Sequence, residues 1–369
     1  MASGDWYTIR NVNEIDTPFL AVYPDRVREN IRILKTMVPD VSRLRPHAKT
    51  HKSSEVAGML MEAGITKFKC ATIAEAEMLA AAGAPDVLLA YQPLGPKAKR
   101  LAELAVRFPR CRLSAVVDSE PAATSLGQTA IDQGITIPVY IDLNIGMDRT
   151  GIAPEKAMDL FKCCRSHAGL QFAGLHAYDG HLRESDLTLR AEQCDKGFAA
   201  VTELAANITR LTGAVPTVIA GGTPSFPVHA KRPNVECSPG TFIFWDKGYG
   251  DMLPEQPFLC AALVVTRIIS IPSPGLLCTD LGHKSIASEN PIDRRVHFLN
   301  APALEALRHS EEHLVLRSDG GNRKVGDVLY GVPFHICPTT ALYDTLNPVE
   351  GGRVTATWKN RARDRRITV

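Results

Sequence analysis

Arg45-Pro46-His47-Ala48-Lys49-Thr50-His51-Lys52 is the densest run of chemistry in the chain. Read as a strand, its period of two sets Arg45, His47, Lys49 and His51 on one face, with Leu44, Ala48 and Thr50 on the other. Four basic groups cannot face a dry core unless they meet an anion there. At the mouth of a barrel, pointed at a phosphorylated ligand, the arrangement makes physical sense. A solvated basic edge strand is the plainer reading, and Pro46 favours it because central strands rarely accept proline.

Outward from this stretch, short β-branched runs alternate with amphipathic segments between residues 18 and 245. Strands are expected over 19–23, 43–50, 67–71, 87–91, 113–117, 137–143, 172–178 and 217–220, and helices over 24–37, 73–82 and 154–167. Thr72 is placed to cap the second of these helices, with Glu75 completing a capping box. Eight strands alternating with helices predict an α/β fold with a TIM-type (β/α)8 barrel; a doubly wound open sheet is the alternative. Past residue 255 the rhythm becomes β-rich, over 261–269, 276–279, 313–316, 354–358 and 366–369. Turn residues separate these runs, as expected for a mainly-β C-terminal domain. The expected division is a barrel over 18–250 and a β domain over 251–369, on which residues 1–17 can pack.

The 369 residues are 45% hydrophobic and 22% charged, enough for a core of ordinary size. The 42 basic and 40 acidic side chains are mixed along the chain and leave a net charge of +2. That balance offers no footprint for nucleic acid or an anionic membrane. Nine cysteines without a CxxC pair, of which only Cys163 and Cys164 are adjacent, read as reduced thiols in a cytoplasmic protein. The N-terminus lacks a signal-peptide pattern, and no run approaches 18 apolar residues, so no membrane span is expected.

Four further stretches carry chemistry. Ala220-Gly221-Gly222-Thr223-Pro224-Ser225 follows a late strand, where consecutive glycines let a backbone approach phosphate oxygens. Gly146-Met147-Asp148-Arg149 ends another strand. In Gly174-Leu175-His176-Ala177-Tyr178-Asp179-Gly180-His181, the strand period puts His176 and Tyr178 on one face. Gly331-Val332-Pro333-Phe334-His335-Ile336-Cys337-Pro338 presents His335 and Cys337 together on an extended segment. Two such ligands do not close a metal site, but water and substrate oxygen can complete an open one.

The 45–52 stretch resembles the RPHxKTHK segment of the D-threonine aldolase and D-serine dehydratase family. These are alanine-racemase-like, fold type III pyridoxal-phosphate enzymes with a barrel followed by a β domain. The resemblance implies that Lys49, not Lys52, holds pyridoxal 5'-phosphate, with His47 beside it and Gly221, Gly222, Thr223 and Ser225 at the phosphate. Gly-Met-Asp-Arg is similar to the family's GMxR pattern, which would set Arg149 near the pyridine nitrogen and Tyr178 against the ring. His335 and Cys337 would hold a divalent metal ion, and His51 and His181 are the candidate second bases. A homodimer acting on a small β-hydroxy-D-amino acid is implied.

Here the sequence departs from the aldolase pattern, because aldolases carry aspartate where Cys337 stands and D-serine-dehydratase-type members carry cysteine. A thiolate favours zinc over manganese or magnesium. The Tyr91-Gln92-Pro93 and Tyr178-Asp179-Gly180-His181 stretches, by contrast, look closer to bacterial proteins grouped with D-threonine aldolases. Retro-aldol cleavage to glycine and an aldehyde is therefore the first reading. β-Elimination to a 2-oxo acid and ammonia is its alternative. A non-catalytic cofactor carrier is a further alternative, disfavoured by the long second domain. A racemase is also disfavoured, since metal ligands have no part in α-proton exchange.

Overall fold

The computed structural model describes residues 5–318 and 320–369, and the chain divides into two units. Residues 34–49, 54–240 and 364–369 form one; the chain up to Ile33, residues 50–53 and residues 241–363 form the other.

In chain order the strands begin with β1 (Phe19–Val22), followed by β2 (Lys67–Cys70), β3 (Asp86–Leu89), β4 (Arg112–Val117), β5 (Ile137–Leu143), β6 (Leu170–Ala177), β7 (Thr217–Ala220) and β8 (Val235–Cys237). Strands β2 to β8 lie side by side in sequence order, every pair parallel. Short connections through helices make that order the natural outcome of repeated right-handed βα units. The sheet closes through residues 44–47. Leu44 bridges Cys237 of β8 and His47 bridges Lys69 of β2, both in parallel sense. Arg45 N donates to Cys237 O at 2.9 Å, His47 N to Pro239 O at 3.0 Å, and Lys69 N to Pro46 O at 2.9 Å. The barrel is thus present, with its eighth stave reduced to four residues.

Three expectations change here. The strand over 43–50 stops at His47, and Ala48–Thr50 coil into a 3-10 turn that breaks the period of two. Pro46 costs the ladder a donor on the β2 side, which is consistent with so short a pairing. The strand at 19–23 is β1, and it pairs with strands of the other unit instead of the barrel. In its place stands β8, three residues between Pro233 and Pro239 that sequence periodicity did not reveal.

Helix Ile73–Ala81 begins as expected, with Thr72 Oγ1 accepting from Glu75 N at 3.1 Å. Glu75 reaches back to Ala71 N at 2.7 Å, one residue further than a standard capping box. All of Ile73 to Ala80 is buried, because the helix lies against β2 and β3.

The second unit holds a ten-stranded mixed sheet built around β1. Its other members are β9 (Ala262–Ser273), β10 (Leu276–Thr279), β11 (Val296–Phe298), β12 (Glu305–His309), β13 (Leu314–Arg317), β14 (Val328–Pro333), β15 (Thr345–Glu350), β16 (Arg353–Val354) and β17 (Trp358–Lys359). β1 runs parallel to β15 and antiparallel to β9. Tyr7, Phe19, Tyr23, Leu263, Val265 and Tyr330 form the core on one face. The strand expected over 366–369 is not one: those residues belong to the barrel unit, where Glu77 binds the Thr368 amide and hydroxyl. No described helix is long and apolar enough to cross a membrane.

Candidate functional site

Inside the barrel unit, polar side chains fall into two sets. The first starts from Arg45, which is 1% exposed. It ion-pairs with Asp86 at 2.6 Å and with Glu236 at 2.7 Å, and Lys67 also meets Glu236. Arg45 therefore satisfies its charge within the protein and does not face a ligand, contrary to the four-residue basic face expected from the sequence. The anion it needed came from the first residue of β3 and the middle of β8.

The second set lies further along the strands. Lys69 of β2 is buried, and its Nζ stands 3.1 Å from His176 Nε2. His176 Nδ1 donates to Asp142 Oδ1 at 2.7 Å. Asp142 also accepts from Thr150 at 2.9 Å and from Gln92 at 3.2 Å. Burial, helped by the charge of Lys49, pushes the Lys69 ammonium down to about 7. Burial likewise lowers His176, and Lys69 lowers it further. Asp142 stays below the usual range because bonds from His176, Thr150 and Gln92 outweigh its burial. Sequence reasoning missed Lys69 altogether. Its signal was a lysine at an inward position of the strand Lys-Phe-Lys-Cys, where a barrel interior has no water to offer.

The expected cofactor residues gather at the same ends of the strands. His47 Nδ1 accepts from Lys49 N at 3.3 Å within the turn that carries Lys49. His47 N bonds Pro239 O, Ser238 N bonds Ala220 O at 3.3 Å, and Gly240 N bonds the Thr223 hydroxyl at 3.2 Å. These bonds tie the lysine turn, residues 238–240 and the glycine loop into one rim. Gly221 has φ +77°, and a Cβ there would meet His229 at 2.8 Å and Ser225 Oγ at 2.9 Å. A Cβ on Gly222 would meet the Tyr178 ring at 3.0 Å. Ser238 Oγ, buried beside this loop, has no protein hydrogen-bond partner among the described residues. A buried hydroxyl without a partner costs on the order of 1–3 kcal/mol, so an acceptor or donor from a ligand fits there.

Beneath the loop, Asp179 Oδ1 accepts from Ser225 Oγ at 2.6 Å and Oδ2 from His229 Nε2 at 2.7 Å. Cys194 Sγ lies 3.6 Å from the same carboxylate. Asp179, Cys194 and His229 have the donor types of a metal triad, all within 4.8 Å of one another. Their direct hydrogen bonds and a Cys194 thiol pushed up to about 12 by burial describe a hydrogen-bonded support for Ser225. Arg149 lies 5.0 Å over the Tyr178 ring, presented by a loop that Asn144 pins through Gly146 N and Asp148 N. Asp148 in that loop has φ +51°, a conformation held by these bonds. His181 is exposed, its ring against Gly146.

In the other unit, His51 is buried with Nδ1 accepting from Ser53 N at 3.2 Å, and burial pushes it down to about 3. It is a neutral imidazole. His335 and Cys337 flank Ile336, whose N–H donates to the buried carboxylate of Asp246 at 3.1 Å. His335 Nδ1 donates to Glu289 Oε1 at 2.5 Å, and Cys337 Sγ lies 3.1 Å from Thr50 Oγ1. Burial tends to lower His335, but Cys337, Glu289 and Asp246 outweigh it and raise the imidazole to about 9. His335 and Cys337 offer an imidazole and a thiol, donor types that suit zinc, while Glu289 and Asp246 are engaged by the His335 ring and the Ile336 amide.

Two family descriptions match the chain: "Alanine racemase, N-terminal domain" over residues 22–247, and "Putative serine dehydratase domain" over residues 261–349. The D-threonine aldolase of Arthrobacter sp. is 30% identical, over 95% of this chain and 93% of that protein. The crystal structure of D-threonine aldolase from Filomicrobium marinum has a TM-score of 0.87 at 30% identity, covering 97% of this chain and 98% of that one. A D-threo-3-hydroxyaspartate dehydratase of Delftia sp. is 25% identical over 94% of this chain and 97% of its own length. A cysteine-to-alanine variant of a dehydratase of that name has been solved in its metal-free form.

Proposed function

We propose, the chain being a member of the D-threonine aldolase and D-serine dehydratase family of alanine-racemase-like lyases, that it cleaves the Cα–Cβ bond of β-hydroxy-D-amino acids such as D-threonine. Pyridoxal 5'-phosphate and a divalent metal ion, zinc by the donor set, are its cofactors. When bound, the first supplies an electron sink for the pair left at Cα, and the second supplies Lewis acidity at the substrate hydroxyl.

The observation that carries the reading is the hydrogen-bonded rim of the barrel, where the Lys49 turn is tied through Pro239 and Gly240 to Thr223. Lys49 holds the cofactor covalently. Gly221, Gly222 and Thr223, with the Ser238 hydroxyl, receive the phosphate, while Ser225 fixes the loop through Asp179. The Tyr178 ring packs against Gly222, and the Arg149 guanidinium lies over that ring. His335 and Cys337 hold the metal ion. His181, which is exposed, is the second base in preference to His51, whose imidazole is buried and pushed down to about 3.

The dehydratase reading stays in view because Cys337 is a soft ligand and one of the relatives over most of the chain is a dehydratase. The same reading makes the protein a homodimer, and its nine unbridged cysteines support a cytoplasmic setting. The test is to supply D-threonine and D-serine in parallel, with and without a chelator, and L-threonine as a control. Glycine and acetaldehyde from D-threonine, lost on chelation and restored by zinc, are expected. Ammonia and a 2-oxo acid would establish the dehydratase instead, and turnover unaffected by exhaustive chelation would remove the metal from the scheme.

A further inference from the structure

Glu289 is held opposite His335 by a frame of its own. Ala287 N donates to Thr339 Oγ1 at 3.2 Å, and Thr339 Oγ1 donates to His335 O at 2.8 Å. Phe334 N donates to Arg295 O at 3.0 Å, and the guanidinium of Arg295, five residues past Asn290, returns to Asn290 O at 2.9 Å. The loop that carries Glu289 is therefore tied on both sides to the His335 segment. Asp246 fixes the same segment from below through the Ile336 amide. Within this frame the Glu289 carboxylate takes the Nδ1–H of His335 at 2.5 Å. With Nδ1 engaged, the imidazole has only Nε2 left to offer, and Cys337 lies within hydrogen-bond reach of the same ring. Carboxylates in this position fix the tautomer and orientation of a ligating histidine and raise its basicity.

We propose that Glu289 is a positioning residue for the metal ion: it holds His335 as the Nδ1–H tautomer so that Nε2 ligates, and it is not itself a ligand. This rests on the reading of His335 and Cys337 as the metal site. It assigns a role to a residue far from the His-x-Cys motif in sequence, one that neither the motif nor its spacing indicates.

Zinc affinity, measured by competition with a chromogenic chelator on the purified full-length protein, is the test. Glu289→Ala should weaken binding about 10–100-fold. Glu289→Gln, whose amide oxygen can still accept the Nδ1–H, should recover part of that loss. Cobalt(II) in place of zinc should show the same ligand-field bands in wild type and both variants, since the ligands are unchanged. Glu289 and His335 are both about half exposed, so these variants leave the core intact. Wild-type affinity in Glu289→Ala would overturn the assignment, and so would a cobalt spectrum altered by loss of a ligand, which would make Glu289 a ligand. A separate variant, His335→Ala, distinguishes the premise: if it binds zinc as tightly as wild type, the metal site itself is misplaced.

Discussion

The barrel interior and the His335 segment solve opposite problems. In the barrel, Arg45, Lys69, His176 and Asp142 are each at most 5% exposed, and their partners come from strands scattered between β2 and β8. Charges there must be matched almost completely, because desolvation costs several kcal/mol for each ion. In the His335 segment the His335 and Glu289 side chains are about half exposed, and the two candidate ligands, His335 and Cys337, sit within three residues of chain. Water can satisfy what the protein does not. The first region builds function by folding and the second by local sequence. It follows that buried charge in this protein reports on architecture first, and only the charge left unmatched reports on a ligand.

That contrast can be broken at Lys49. It is the lysine next to the matched network that is itself only half-buried, and Lys49→Ala should reduce turnover of D-threonine by roughly 1000-fold or more. Borohydride reduction followed by peptide mapping should place the reduced pyridoxyl group on Lys49 in the wild type. Finding it on Lys52 or on Lys69 would show that the barrel's buried network, not its rim, carries the cofactor.

Architecture is tested by Glu236→Ala. It leaves Arg45 with one carboxylate in a buried position, and should destabilise the protein by about 3–5 kcal/mol in urea unfolding. A loss below about 1 kcal/mol would mean that water reaches Arg45 and that the pairing is ornamental.

The smallest effect concerns Lys69, and it carries a sign. The ammonium is lowered from 10.5 to about 7 in the folded chain. Between those values the unfolded chain holds a proton that the folded chain does not, so stability falls as pH drops through that window and levels off below it. Lys69→Met should remove this slope and stabilise the cofactor-free protein near neutral pH by about 1–4 kcal/mol. An unchanged pH profile of unfolding would show that Lys69 keeps its proton in the folded chain.

How much of this was legible differs between the two regions for a physical reason. The βα rhythm exposed the barrel, and Thr72 with Glu75 marked a helix start correctly, because both signals are local. The 43–50 run was over-read as one strand. Its alternation of basic residues continues through Lys49, while the backbone has already turned at Ala48. β1 has the composition of a barrel strand, and only its long-range partners in β9 and β15 assign it elsewhere. Pairings such as Arg45 with Glu236 span 191 residues and leave no trace in periodicity. Glu289 and Ser238 carry no motif at all. They became visible through a short hydrogen bond and a missing one.

The seam at residues 44–47 has a consequence for how the barrel breathes. Elsewhere neighbouring strands share ladders of three to seven paired residues, whereas this stave meets each neighbour through a single bridge. Amide protons at Arg45, His47 and Lys69 should exchange with solvent ahead of those in β4 and β5, because opening there breaks the fewest bonds. A ligand that spans Lys49 and the 221–225 loop would lie across this seam like a stitch, and exchange at these three amides would slow by the amount that it holds.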